Sequence, residues 1–400
     1  MATNSSIEWT DKTWSPVIGC TRVSSGCDGC YAIRGAHIRA HNSNPKVAAA
    51  FAGTTRNTGE HLDWTGTVNV LEDRLVEPLT WRKPQMVFVN SQSDLFHEQI
   101  PDEVIACIFA VMALTPRHTY QVLTKRHGRM RSLLTSPHFR ELCENAEAVL
   151  VNDEATPGLP RYKREAYQRQ WWSHFARPLA NLWLGVSVED QRWAGVRIPA
   201  LLATPAAVRW ISVEPMLGPI DLSGQADRHG HRSRLTYWLT GKPGPGTPRT
   251  TGTGLQMSPL VTGPRLDWVV AGGESGPGAR PPHPQWFRTL RDQCAASGVP
   301  FLFKQWGQWG QEAPLGRDGR IVRGARGAGV TVADDGTVYA PGDRSYPGPR
   351  YGEAVRAGHG RNHLTQMYSV GKKAAGRELD GRLHDEYPAR RPAATWTRRA

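Results

Sequence analysis

The stretch LWLGVSVED (residues 182–190), with RWISVEP (209–215) and WVVAGGES (268–275), decides the fold. Each is a short apolar run, rich in β-branched and aromatic residues, that ends in a polar or glycine-rich corner. Alternation of apolar with polar positions is weak, as expected of strands covered on both faces. The same pattern predicts strands at Pro16–Gly19, Met86–Asn90, Tyr120–Leu123, Leu182–Val186, Val208–Val213, Trp268–Ala271 and Phe301–Phe303. Helical spacing of apolar residues predicts helices over Ala32–His41, Asp102–Leu114 and Gln285–Ser297, with Asp102 as an N-cap and Gly298 as a C-cap. Strands alternating with helices imply an α/β fold with parallel strands, a partial or complete (β/α) barrel of the TIM-barrel kind.

Outward from these strands, residues 1–310 read as the barrel, interrupted by insertions at about 142–181 and 223–264. The second insertion is rich in Gly, Pro, Thr and Arg and lacks periodicity, which marks it as a loop. Residues 311–388 form a Gly/Arg-rich extension with a small hairpin at Val330–Tyr339 around Asp335–Gly336 and a short helix in KKAAGRELDGRLHDEYP. Residues 389–400 are a basic tail.

Of 400 residues, 49 are Lys or Arg and 36 are Asp or Glu, so the net charge is +13 and a polyanionic partner is expected, a nucleic acid or nucleotide first. No window holds the roughly 18 apolar residues of a membrane span, so no membrane partner is expected. The start lacks the basic-then-apolar layout of a secretory signal. Six cysteines, three of them within eleven positions, do not resemble a secreted disulfide framework. A reducing cytoplasm is the expected location.

The segment GCTRVSSGCDGCYA places Cys20, Cys27 and Cys30 in a C-x6-C-x2-C pattern. The closer pair lets two thiolates face one centre from a tight turn, and the longer loop returns the third. A metal-binding or iron–sulfur site is therefore expected on these three residues. Zinc normally requires four ligands, and His37 follows seven residues later, which leaves a Cys3His zinc site open. A cluster held by three thiolates leaves one iron free for a ligand. Spacing alone leaves both possibilities standing. Cys107, Cys143 and Cys294 lie in helical segments and read as buried thiols.

IEWTDKTWSPVIGCTRVSSGCDGCYA, NSQSDLF (90–96), SVEPM (212–216), AGGESG (271–276), FKQWG (303–307) and GKKAAGRELDGR (371–382) together resemble the phage-associated three-cysteine-motif family, whose function is poorly defined. That family is distantly similar to radical S-adenosylmethionine enzymes. The resemblance implies a 4Fe-4S cluster on Cys20, Cys27 and Cys30, S-adenosylmethionine as cofactor, a reducing electron donor, and radical chemistry on an unknown substrate. It also makes Ser91 and Asp94, after the second strand, candidate cofactor contacts. The radical enzymes' usual spacing is C-x3-C-x2-C with an aromatic residue before the last cysteine. Here the first gap is six residues, Gly29 takes the aromatic position, and Tyr31 follows the motif.

Polar residues collect at the strand ends, where parallel α/β folds bind ligands. Asp94, Glu189, Glu214 and Glu274 are candidates for a cofactor and substrate pocket. Lys125, Arg126 and Lys304 are candidates for anionic substrate groups. Trp306, with Trp309, either stacks on a base or packs in the core. Trp9 and Trp14 are expected as a lid over the cysteines or as core. No G-x-S-x-G elbow, phosphate-binding G-x4-G-K-[ST] or H-E-x-x-H motif is present. The leading expectation is a radical S-adenosylmethionine-like enzyme acting on a nucleotide or nucleic acid. The alternative is a zinc-stabilised nucleic-acid-binding protein without catalysis.

Overall fold

The computed structural model describes residues 5, 7–161, 164–165, 178–224, 237–242, 249–251, 254–256, 263–313, 329–339 and 350–389. Most of the 223–264 loop and the basic tail lie outside these residues. Two compact units are distinguished, one built mainly from Met1–Val186, the other from Ser187–Leu202 and Trp210–Pro388.

The first unit holds β1 (Lys12–Trp14), β2 (Met86–Val89), β3 (Thr119–Thr124) and β4 (Leu182–Ser187), paired parallel in that order. Every residue of β4 is buried, as expected of a strand covered on both faces. Helices α1 (Tyr31–Ala40), α2 (Asp102–Leu114), α3 (His127–Leu134) and α4 (Pro137–Asn152) connect the strands. The second unit holds β5 (Val208–Val213), β6 (Trp268–Gly272) and β7 (Phe301–Gln305), again parallel, with α5 (Gln191–Leu202) and α6 (Pro284–Ser297). The sheet runs in chain order from β1 to β7, and the fold is α/β with the topology of a partial (β/α) barrel.

Three expectations need correction. The first parallel strand is Lys12–Trp14, whereas Val17–Ile18 pairs antiparallel with Asn69–Val70. Pro16 stands between the two pieces and has no N–H with which to continue a ladder. Asp102 is the first helical residue of α2 and Pro101 its N-cap. The Asp102 carboxylate instead pairs with Arg129 at 2.5 Å. In the KKAAGRELDGR segment only Lys372–Ala375 is helical, because Gly376 leaves the helix at φ 75°.

Other elements lie where the pattern puts them. Gly298 caps α6 in the left-handed conformation, φ 65°. Gly329–Ala333 pairs with Val338–Tyr339 as the hairpin, turning at Gly336. Residues 142–152, expected at the start of an insertion, are instead the later turns of α4, which begins at Pro137 and packs on α2 through the edge-on rings of Phe109 and Phe139.

The buried stripe of α4 consists of Phe139, Cys143, Glu147, Leu150 and Val151. A carboxyl in that apolar row is costly when charged, and desolvation, helped by Glu144, pushes Glu147 up to about 7. Between its ordinary value and about 7 the folded chain binds more protons than the unfolded one, so stability falls as pH rises through that window. Glu147→Gln is therefore expected to flatten the pH dependence of chemical denaturation between pH 5 and 7. It should stabilise the fold by on the order of 2–3 kcal/mol at pH 8 and have little effect at pH 5.

Candidate functional site

The cysteine loop is placed by Gly19. Its φ is +104°, and a Cβ there would lie 2.1 Å from the carbonyl oxygen of Thr67, so only glycine fits. The Gly19 N–H donates to the carbonyl of Gln92 at 3.1 Å, which fixes Cys20 beside the segment that follows β2. Ser25–Cys27 forms one turn of 3-10 helix, and Cys30 is the N-cap of α1. Arg22 pins the long gap between the first two cysteines, donating to Asp63 at 2.6 Å and to Asp28 at 3.1 Å. Cys20 and Cys30 pack against a small apolar cluster that includes Ile18, Ile33, Phe51 and Trp64.

The three sulfurs are half-buried free thiols. Burial, helped by the Asp94 carboxylate, pushes Cys20 up to about 12, while Arg126 pulls the other way. Burial also raises Cys30, with Cys27 adding to it and Lys125 opposing. Cys30 thus lies within electrostatic reach of both other thiols. A cationic centre bound to these sulfurs would offset the cost of burying them as thiolates, and Arg126 and Lys125 stand beside them to balance excess thiolate charge. The chemistry of the donor set therefore suits a cationic metal or cluster core held by thiolates. As they stand, no three His, Cys, Asp or Glu side chains among the described residues form a group that could hold a metal ion. His37 is engaged by Thr55 Oγ1 at 3.3 Å and by the His41 ring.

Arg126 and Asp94 organise this region. Asp94 Oδ1 accepts from Thr124 Oγ1 at 2.6 Å and from the Phe96 N–H at 3.0 Å; Oδ2 accepts from the Lys125 N–H at 2.9 Å. Arg126 Nη1 lies 3.3 Å from Asp94 Oδ2 and donates to Cys20 Sγ at 3.6 Å. Its Nε donates to Glu98 at 3.0 Å and its Nη2 to Thr21. Burial opposes the guanidinium charge, but Asp94, Cys20 and Glu98 hold it protonated. Both buried side chains satisfy their bonds within the chain. Ser91 Oγ lies 3.2 Å from Ser15 Oγ, and Tyr31 donates to the Ser91 carbonyl.

Thr21, His97 and Glu98 escape the sequence reading although they complete this network. Thr21 Oγ1 is 3.1 Å from His97 Nε2, and burial together with Arg126 lowers His97. His97 and Glu98 follow the quoted NSQSDLF directly, the one signal that could have drawn attention to them.

The second unit holds the remaining candidates. Glu189 pairs with Arg197 at 2.8 Å, both at 0% exposure, and Arg197 also donates to the Ser187 carbonyl. Asp190 caps α5 by accepting from the Trp193 N–H. Glu214 pairs with Lys304 at 2.9 Å and accepts from Ser212. Glu274 is gripped by both forks of the Arg280 guanidinium, at 2.8 and 2.6 Å. Gly273 lets two backbones meet, since a Cβ there would lie 1.9 Å from the Trp306 carbonyl. Trp306 is 4% exposed, donates to the Glu378 carbonyl and packs edge-on against Phe287 and Phe303, which makes it core. Trp9 and Trp14 are core as well, Trp14 donating to the Arg74 carbonyl.

Comparison with known families finds a match over residues 4–388 to the model described as "Protein of unknown function (DUF5131)". The chain belongs to the DUF5131 family. No curated protein and no solved structure matches it. The DUF5131 match takes in the cysteine loop and every strand described above.

Gly19→Ala is expected to destabilise this DUF5131 protein by about 3 kcal/mol or more, because backbone strain and a backbone clash combine. Gly59→Ala, at φ +91° with nothing within 4 Å, should cost only the strain, about 1 kcal/mol, in the same denaturation experiment. Arg197→Met removes the guanidinium from a buried carboxylate and should cost about 3–5 kcal/mol, whereas exchanging both partners for apolar residues should cost much less.

Proposed function

We propose that this chain is an iron–sulfur enzyme of the radical S-adenosylmethionine type, with Cys20, Cys27 and Cys30 holding a 4Fe-4S cluster. The observation that carries the reading is the presence of three thiols in one loop, two of them raised by burial, with Arg126 donating to the sulfur of Cys20. The loop follows the first strand of a partial barrel, where the resemblance to radical enzymes would put it. A cluster with S-adenosylmethionine would supply hydrogen-abstracting chemistry, given a reducing electron donor.

The chain's own residues would hold and shield that centre. Arg126 and Lys125 offset its negative charge. Asp94 keeps Arg126 aimed at Cys20, and the apolar cluster behind Cys20 and Cys30 excludes water from one side. Ser91 is the residue for a polar contact to the cofactor. The charge of +13 supports a nucleotide or nucleic-acid substrate, because an excess of positive charge draws polyanions.

Anaerobic purification and reconstitution should give a brown protein with about four irons per chain, and Cys20→Ala should lose them. Reduction in the presence of S-adenosylmethionine should release 5′-deoxyadenosine. A colourless protein with stoichiometric zinc, salt-sensitive nucleic-acid binding and no cleavage of S-adenosylmethionine would overturn this reading in favour of a zinc-stabilised binding protein.

A further inference from the structure

A cavity of about 560 Å³ opens at the N-terminal end of β7, the opposite end of that strand from Lys304. This volume suits a small molecule. Its apolar surface is that of the exposed Ala295 and the half-buried Pro300, laid over the buried Val299, Phe301 and Leu379. Its polar wall includes Arg291, Asp380, Arg382, His384 and Glu386.

The hydrogen bonds of that wall decide the ligand's charge. Both Asp380 oxygens are taken, Oδ1 by Arg288 at 2.8 Å and Oδ2 by Arg291 at 2.7 Å. Glu386 Oε2 accepts from the Phe301 N–H at 3.1 Å. The carbonyls at the end of α6 are also engaged, Cys294 by the Val299 N–H and Ala295 by the Gly298 N–H. By contrast, the Arg382 guanidinium has no side-chain partner among the described residues. His384 is 8% exposed, its ring lies edge-on to Phe301 at 5.8 Å, and neither ring nitrogen bonds to a described residue. An imidazole and a guanidinium that line one cavity, neither with a side-chain hydrogen-bond partner among the described residues, form a donor set open to an acceptor.

We propose that this cavity binds a small amphipathic anion. A carboxylate or phosphate sits on Arg382 and His384, and a flat apolar body lies against Ala295 and Pro300. The site uses none of the residues assigned to the cysteine centre, so it stands or falls separately from that reading.

Isothermal titration of the full chain with benzoate and with phenyl phosphate tests it, with inorganic phosphate and benzyl alcohol as half-ligands. One or both aromatic anions should bind saturably, at least about tenfold more tightly than either half-ligand. Benzoate alone would identify a carboxylate ligand, and phenyl phosphate alone a phosphate ligand. Arg382→Ala, an exposed change that leaves the fold intact, should weaken binding about tenfold or more, as should His384→Phe, which keeps the ring but removes its nitrogens. Lys373→Ala should not alter it. Absence of saturable binding by both anions, or equal binding by Arg382→Ala, overturns the proposal.

Discussion

A buried carboxylate must be satisfied by hydrogen bonds or it destabilises the fold, and Asp94 meets that demand by joining separate parts of the first unit. Its oxygens accept from Thr124 and Lys125 at the end of β3 and from Phe96 in its own loop, and they hold Arg126 in place. Arg126 in turn reaches Cys20, Thr21 and Glu98. The cysteine loop is therefore tied to two strand ends through one charged pair. Gly19 adds a backbone tie to the same region, in a space that admits no side chain. Whatever the cysteines hold, these constraints set the position of Cys20.

The second unit solves the same problem with different pairs. Three of its strand-end carboxylates are paired with a cation: Arg197 for Glu189, Lys304 for Glu214, Arg280 for Glu274. The Glu189 pair is fully enclosed, so it fixes geometry at the start of α5 and is closed to any ligand. Glu214 and Lys304 are less deeply buried, and the pair lies beside Gly272, where a Cβ would come within 3.0 Å of the Glu214 carboxylate. Close approach of backbones at Gly273 and Trp306 brings the ends of β6 and β7 together. Polar strand ends are thus partly structural.

Much of the fold is legible in the residues because local chemistry carries it. Six of the seven strands lie where apolar, β-branched runs place them, and Gly298 ends α6 because only a residue tolerant of positive φ continues the chain there. The first strand is misplaced because a two-residue antiparallel piece after Pro16 has the same composition as a parallel one. The triple-cysteine loop is equally plain, since spacing is a property of the chain alone. Trp306 is not legible in this way. An indole in a glycine-rich corner reads the same whether it stacks on a ligand or packs on Phe287 and Phe303.

The sequence by itself determined the alternation of strands and helices, the spacing of Cys20, Cys27 and Cys30, and the excess of positive charge. Periodicity, turn residues and composition are local quantities that need no knowledge of distant neighbours. Only the tertiary structure decided which polar side chains are engaged within the chain and which remain open. Asp94 lies 30 positions from Thr124 and Arg126 lies 106 from Cys20, so no local pattern records those bonds. That Arg382 and His384 line one cavity, with no side-chain hydrogen-bond partner among the described residues, became visible only when the packed chain showed what stood around them.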